Sequence, residues 1–169
     1  MSQLSFPSFD SPLLVRDSQG RYLPASADDI LEAARQVIDQ KMRRGAPFSS
    51  PAAVKEYLCA KLAGFEHEVF AVLFLDTGHR LIEYREMFRG TIDGASVYPR
   101  EVVKEALRLN AAAVILSHNH PSGKPEPSGA DRTLTQRLTA SLNLVDVRVL
   151  DHIIVAGHDT RSFAELGLI

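Results

Sequence analysis

The sequence has little cysteine, almost no net charge and no long hydrophobic run, and each shortage excludes a class of protein. Its single cysteine, Cys59, excludes an internal disulfide framework and a cysteine-rich zinc finger. No apolar stretch approaches the roughly 20 residues that a membrane span requires. The first residues lack the basic and apolar regions of a secretory signal. A reducing, cytoplasmic location is therefore expected, with no membrane partner.

The charge balance argues against a protein whose main task is to grip nucleic acid. The chain has 19 Lys and Arg residues against 21 Asp and Glu, a formal net charge of -2. Nucleic-acid binders usually carry a clear basic excess. The best basic patch is Lys41, Arg43 and Arg44. We interpret it as the last turn of a helix, where cations complement the helix dipole.

The 169 residues divide into three predicted segments. Residues 1–25 are interrupted by prolines and a glycine and are predicted to form an extended arm. Residues 26–63 are predicted to be helical, with N-caps at Ser26 and Ser50. Residues 64–169 are predicted to form a metal-binding domain, in which apolar runs alternate with helical patterns. A composition of 45% hydrophobic and 24% charged residues is that of an ordinary globular protein.

The order of elements in the last segment predicts the fold class. Helices are expected after Pro99 and after Ser128. Five strands are expected, at 69–75, 80–84, 87–92, 112–116 and 145–155. Strands interleaved with helices predict an α/β fold, with a mixed β-sheet and helices packed on it.

Residues 117–131, SHNHPSGKPEPSGAD, concentrate the candidate functional side chains. His118 and His120 follow a buried strand, and alternate side chains of an extended segment project to one face. The loop then leads to Ser128, a natural N-cap, with Asp131 in the first helical turn. Two histidines and a carboxylate form a zinc ligand set that leaves a fourth position open for water. The sequence therefore predicts a zinc site that activates water for hydrolysis.

Each part of this window also has a structural explanation. A His-x-His pair at a strand end is often incidental, and Ser128-x-x-Asp131 is the pattern of a helix capping box. A zinc hydrolase also needs a group beside the metal that transfers protons. Glu68, at the start of a predicted strand, is a candidate, and spacing alone leaves three others open: Glu66, Glu83 and Glu86.

Glu68, then His118-x-His120-Pro121, then Ser128-x-x-Asp131 match the ordered motif of a known family. In these residues the chain resembles the JAMM (MPN+) metalloproteases. Over about residues 50–169 it resembles their bacterial RadC branch, through five further runs: Phe88-Arg89-Gly90-Thr91, Tyr98-Pro99-Arg100-Glu101-Val102-Val103, Asn110-Ala111-Ala112-Ala113, His118-Asn119-His120-Pro121-Ser122-Gly123 and Leu150-Asp151-His152.

The resemblance implies a cytidine deaminase-like fold, in which a curved mixed sheet is flanked by helices. It implies that His118, His120 and Asp131 bind one zinc ion, which lowers the pKa of a bound water to about 7. It also implies that Glu68 is the general base and that Ser128 donates a hydrogen bond to the developing oxyanion. JAMM enzymes hydrolyse peptide or isopeptide bonds, so a peptide or protein substrate is expected.

One departure from the RadC pattern concerns DNA. Longer RadC relatives carry an N-terminal helix-hairpin-helix module with a Gly-x-Gly turn. The first 63 residues contain only Gly20 and Gly45, far apart. We expect that module to be missing, and a nucleic-acid role to be correspondingly weak. Oligomeric state is not predicted.

Two alternative functions stay open beside the hydrolase. One is a non-catalytic RadC-like module, linked to DNA repair, that binds protein or DNA; the other is a metal-dependent nuclease. An HNH nuclease is discounted because that class spreads its residues over a ββα unit. A zinc deaminase would need a Pro-Cys-x-x-Cys element. His152 could orient a ligand histidine, but we favour a structural role for it.

Overall fold

The structure, a computed structural model, describes residues 12–41, 48, 50–90 and 96–169. The chain divides into two compact units, Met1–Lys41 and Met42–Ile169. The division falls inside the helical segment predicted at 26–63, so its two helices belong to different units. Of the basic candidates, Arg43 and Arg44 lie outside the described residues.

The first unit contains a β-hairpin and a helix among its described residues. Strands β1 (Leu14–Arg16) and β2 (Tyr22–Pro24) pair antiparallel. A hairpin therefore stands where the sequence predicted only an extended arm. The short strands lack a periodicity long enough to detect. Helix α1 (Ala27–Lys41) begins after Ser26, as predicted.

Helix α2 (Pro51–Leu62) opens the second unit, and Ser50 caps it through a bond from the Ala53 backbone N–H, as predicted. The remaining elements follow in chain order: β3 (Val69–Leu75), β4 (Leu81–Arg89), α3 (Pro99–Arg108), β5 (Ala113–Asn119), α4 (Gly129–Asn143), β6 (Arg148–Ala156) and β7 (Asp159–Ser162).

In the described part of the chain, five of these strands form one mixed sheet in the order β4-β3-β5-β6-β7. Strands β5 and β6 run parallel, with α4 as the crossover between them, and the other neighbours are antiparallel. This architecture confirms the predicted α/β class, a mixed sheet flanked by helices.

The two faces of the sheet are covered by different helices. Leu116 of β5 packs in the main core with Phe70 of β3, Val102 of α3 and Leu138 of α4. Neighbouring residues on a strand point to opposite faces. Ile115 accordingly lies on the other side, where it lines a pocket with Val54 of α2. His118 lies two residues after Leu116 in the same strand, so its side chain projects to the same face, the one covered by α3 and α4.

In the second unit, the expected strands differ from the structure in two places. The strands expected at 80–84 and 87–92 are one strand, β4, as far as Arg89, because register shifts against β3 let it bend without breaking. Thr91 and Ile92 lie outside the described residues. Strand β7 was not predicted, since its sequence, DTRS, carries no apolar alternation.

Candidate metal centre

Strand β5, the residue that follows it and helix α4 bring the predicted ligands together. His118 is the second-last residue of β5, His120 comes directly after the strand ends at Asn119, and Asp131 lies in the first turn of α4. Helix α4 presents one buried face to the sheet because Asp131, Thr135 and Leu138 recur at helical spacing. Among the described residues, these three side chains form the group able to hold a metal ion, with their ligand atoms all within 4.8 Å of one another.

The distances between the donor atoms fit a small divalent cation such as zinc. His118 Nε2 lies 2.9 Å from His120 Nε2 and 3.2 Å from Asp131 Oδ1, and His120 Nε2 lies 3.6 Å from Asp131 Oδ2. Tetrahedral zinc with bonds of about 2.0–2.1 Å separates its ligand atoms by about 3.3–3.4 Å. The donor set also suits zinc, which accepts imidazole and carboxylate ligands.

His120 is oriented by the loop that follows it. Its Nδ1 lies 2.6 Å from the backbone carbonyl oxygen of Lys124. A carbonyl oxygen only accepts, so Nδ1 carries a proton and Nε2 faces the centre. Hydrogen bonding to Asp131 is the main cause that raises the pKa of His120, and it outweighs the opposing effect of burial.

The Asp131 carboxylate is held in its ionised form. Burial by itself would raise its pKa. Hydrogen bonds from His118, His120 and Ser128 together outweigh burial and lower the pKa of Asp131 well below its usual range. The centre therefore offers a fixed negative charge beside two imidazoles, which is the electrostatic setting that a cation needs.

Ser128 contacts the centre through Asp131. Its backbone N–H and its hydroxyl donate to Asp131 Oδ2 over 2.7 and 2.6 Å, and its Oγ accepts from the Asp131 backbone N–H over 3.1 Å. This is the capping box that the sequence offered as a structural explanation. The predicted role at an oxyanion requires the hydroxyl to rotate away from Asp131.

Glu68 precedes β3 on the face that carries the histidines. Phe70 lies opposite His118 in the antiparallel ladder, and the two rings stack with centroids 6.2 Å apart. Extending that register by two residues brings Glu68 opposite His120. Attraction to the Glu68 carboxylate is also one of the lesser causes that raise the pKa of His120. The side chain is half-buried.

For one residue beside the site the sequence analysis favoured a structural role, and a second residue it did not consider. His152, for which a structural role was favoured, lies with Nε2 2.8 Å from His118 Nδ1. Burial is the main cause that lowers the pKa of His152 well below its ordinary value, so the ring is neutral. Thr135 was not considered, although it follows Asp131 by one helical turn; its Oγ1 lies 2.7 Å from His152 Nδ1.

A groove of about 460 Å³ opens beside His120. It lies between the connection from α2 to β3, the loop after His120 and the turn between β6 and β7. Its lining includes Gly64, Phe65, His120, Pro121 and Gly157. No helix within the described ranges is both long and apolar enough to cross a membrane.

Comparison with known proteins gives a consistent result. A family model described as the RadC-like JAB domain matches residues 48–168. A UPF0758 protein of Vibrio cholerae is 62% identical over 138 residues, covering 82% of this chain and 87% of the relative. A UPF0758 protein of Marinobacter nauticus is 56% identical over 145 residues, covering 86% of this chain but 65% of the relative. The match to one of Methylibium petroleiphilum likewise spans 63% of that protein, less than two thirds of its length.

Proposed function

Because the chain belongs to the RadC-like JAB domain family, we propose that it is a zinc-dependent hydrolase acting on peptide or isopeptide bonds. The observation that supports this proposal best is the convergence of His118, His120 and Asp131, whose ligand atoms lie within 4.8 Å of one another. Zinc, when bound there, supplies a Lewis acid that makes a water nucleophile available at neutral pH.

Residues of the chain have the other roles in the proposed reaction. Asp131 and the two histidines hold the ion. Glu68, on the same face opposite His120, accepts the proton of the attacking water and returns it to the leaving amine. Ser128 donates a hydrogen bond to the developing oxyanion after its hydroxyl turns away from Asp131. The groove beside His120 receives the substrate chain.

The metal is tested first, by measuring zinc bound to the purified protein. We expect about one zinc per chain in the wild type, and its loss in His118→Ala. His158→Ala replaces an exposed histidine in the turn after β6 and should retain the metal. A wild-type protein that takes up no zinc would refute the proposed site.

The chemistry is tested with a library of fluorogenic peptides and lysine-linked isopeptides. Glu68→Gln should keep its zinc and lose about 10²–10⁴-fold in turnover, the usual contribution of a general base. Glu126→Gln, on the exposed part of the site loop, should be unchanged. Cleavage of single- or double-stranded DNA that a chelator abolishes would favour a nuclease. A zinc-loaded protein that cleaves none of these would favour a non-catalytic binding module.

A further inference from the structure

The groove beside His120 combines an apolar wall with one acidic side chain. Its described lining residues include no lysine or arginine, and Glu66 is the only one among them with a carboxylate. The apolar residues of the wall include Leu62, Phe65 and Val155. An apolar wall beside a single carboxylate suits a side chain that is apolar along its length and positively charged at its end.

The backbone on both sides of Glu66 is fixed to the strand that carries the metal-facing histidines. Gly64, with a φ of 82°, turns the chain after α2. Asn119 Nδ2 then donates to the His67 carbonyl oxygen over 3.0 Å and lies 3.5 Å from the Phe65 carbonyl oxygen. The rings of Phe65 and His67 also contact each other, with centroids 5.5 Å apart. Because its two neighbours are held in this way, Glu66 occupies a defined position in the wall.

The Glu66 carboxylate is held there without a partner. Within the part of the chain that the structure describes, its exposed side chain has no hydrogen bond and no ion pair. Three other glutamates of the second unit each have a cation within 3.1 Å: Glu83, Glu86 and Glu165. A carboxylate that is fixed in a groove and lacks a cation is available to accept charge-assisted hydrogen bonds from a ligand.

We propose that Glu66 is a specificity-determining residue that selects a lysine or arginine of the substrate close to the scissile bond. The apolar stem of that side chain packs on the groove wall, and its cation pairs with the Glu66 carboxylate. This inference rests on the proposed function, because it concerns the substrate of the same centre. In an isopeptide, the amine of the lysine that forms the scissile bond is acylated and neutral, so the recognised cation belongs to another residue.

The first test measures kcat/KM of the wild type for peptides in which each position around the scissile bond is varied in turn. Alanine, norleucine, lysine and glutamate are compared, because norleucine keeps the stem of lysine without its charge. At one position, norleucine should exceed alanine, and lysine should exceed norleucine about 5-fold, the upper value for an exposed ion pair. Salt at about 1 M should remove most of the advantage of lysine and leave that of norleucine.

Two substitutions of Glu66 then test whether this residue causes the preference. Glu66→Gln removes the charge at nearly constant shape and should make the lysine and norleucine peptides equal. Glu66→Lys reverses the charge and should make glutamate the preferred residue at the same position. Glu126→Gln and Glu126→Lys are the matched controls, since Glu126 is exposed on the site loop and does not line the groove. Both controls should keep the wild-type preference for lysine.

Equilibrium binding of the same peptides, measured by fluorescence anisotropy, separates this inference from the proposed function because it needs no hydrolysis. Binding should follow the order lysine, norleucine, alanine. Equal binding of the lysine and norleucine peptides to the wild type, or no binding of any peptide, would overturn the inference, and this comparison needs no variant to fold. A lysine preference that survives in Glu66→Gln would overturn it as well. Lysine-selective binding that depends on Glu66, without cleavage of any peptide, would uphold the inference about the groove and refute the hydrolase instead.

Discussion

Ser128 shows how one residue can serve both a helix and a binding site. Its three bonds with Asp131 cap α4 and also fix the Asp131 carboxylate, whose other oxygen lies 3.2 Å from His118 Nε2. Ser26 and Asp29 at the start of α1 form the same three bonds, at 2.9, 2.7 and 3.1 Å. A Ser-x-x-Asp capping box therefore indicates a metal ligand only where other ligands converge on its carboxylate.

This comparison predicts different results for the two alanine variants. Ser128→Ala should lower the free energy of unfolding by about 1 kcal/mol, the usual value of an N-cap, and weaken zinc binding several-fold because Asp131 loses its orientation. Ser26→Ala should destabilise α1 by a similar amount and leave zinc affinity unchanged. Calorimetric unfolding and zinc titration measure the two effects. Equal zinc affinity in both variants would show that Ser128 acts only as a cap.

Adjacent residues of the Leu150-Asp151-His152 run have separate roles because strand side chains alternate. His152 points toward His118. Asp151, on the other face of β6, accepts bonds from the Ser162 hydroxyl and the Ala164 backbone N–H, at 2.6 and 3.0 Å. It thereby anchors the segment that follows β7. Position in the sequence alone could not assign these roles, because His118 and Ser162, the residues that they contact, lie in other strands.

At the scale of elements, the side chain of Asn119 joins the ends of β3 and β5. Its Oδ1 accepts from the Val69 backbone N–H over 2.7 Å, and its Nδ2 donates to the His67 carbonyl oxygen over 3.0 Å. These two backbone groups flank Glu68. Asn119 lies between the two histidines but projects to the opposite face, so it positions the Glu68 segment without entering the centre.

Asn119→Asp should therefore disturb the placement of Glu68 more than the metal ligands. The second carboxylate oxygen would face the His67 carbonyl oxygen in a site that is only 4% exposed. We expect a loss of about 1–3 kcal/mol in the free energy of unfolding, and a larger loss of hydrolysis than of zinc affinity. Asn143→Asp, the same change at an exposed position, is the control. Urea unfolding that does not distinguish the two variants would contradict the prediction.

Local pattern predicted some elements well and others poorly. Helices α2, α3 and α4 have capping or proline signals at their first residues. Strand β3 is a continuous apolar run and β5 begins with one, so each of these elements was found. Strand β7 is held by its pairing with β6, and β4 stays continuous through its ladder with β3. Both strands therefore depend on pairing with a neighbouring strand, which the periodicity of their own residues does not reveal.

At the scale of the whole second unit, an ion network couples β4 to α3. Glu105 Oε1 lies 2.7 Å from Arg108 Nη2 and 2.9 Å from Arg85 Nη1. The hydrogen bond from Arg108 is the main cause that lowers the pKa of Glu105. Because the carboxyl group is largely buried, the network is expected to stabilise the fold more than an exposed ion pair would.

The lowered pKa of Glu105 decides how the stabilisation by this network depends on pH. The stabilisation is fully present above pH 4.5, the ordinary pKa of a glutamate, and is lost as the pH falls through the lower pKa of Glu105 in the folded protein. Glu105→Gln should cost about 1 kcal/mol at pH 7, and the difference from wild type should shrink toward zero in strong acid. Glu101→Gln, on the same helix with cations 3.6 and 3.7 Å away, should change stability little at any pH. Urea unfolding at pH 7 and pH 3 measures both.

The sequence by itself determined the fold class, the family and the identity of the candidate ligands. These rest on apolar periodicity and on an ordered motif that spans fewer than 70 positions, from Glu68 to Asp131. Tertiary structure alone decided the partners that join distant segments, Thr135 with His152, His152 with His118, and Asn119 with the backbone around Glu68. The reason is that hydrogen bonds across a sheet depend on strand order and register, which form only when the whole unit packs.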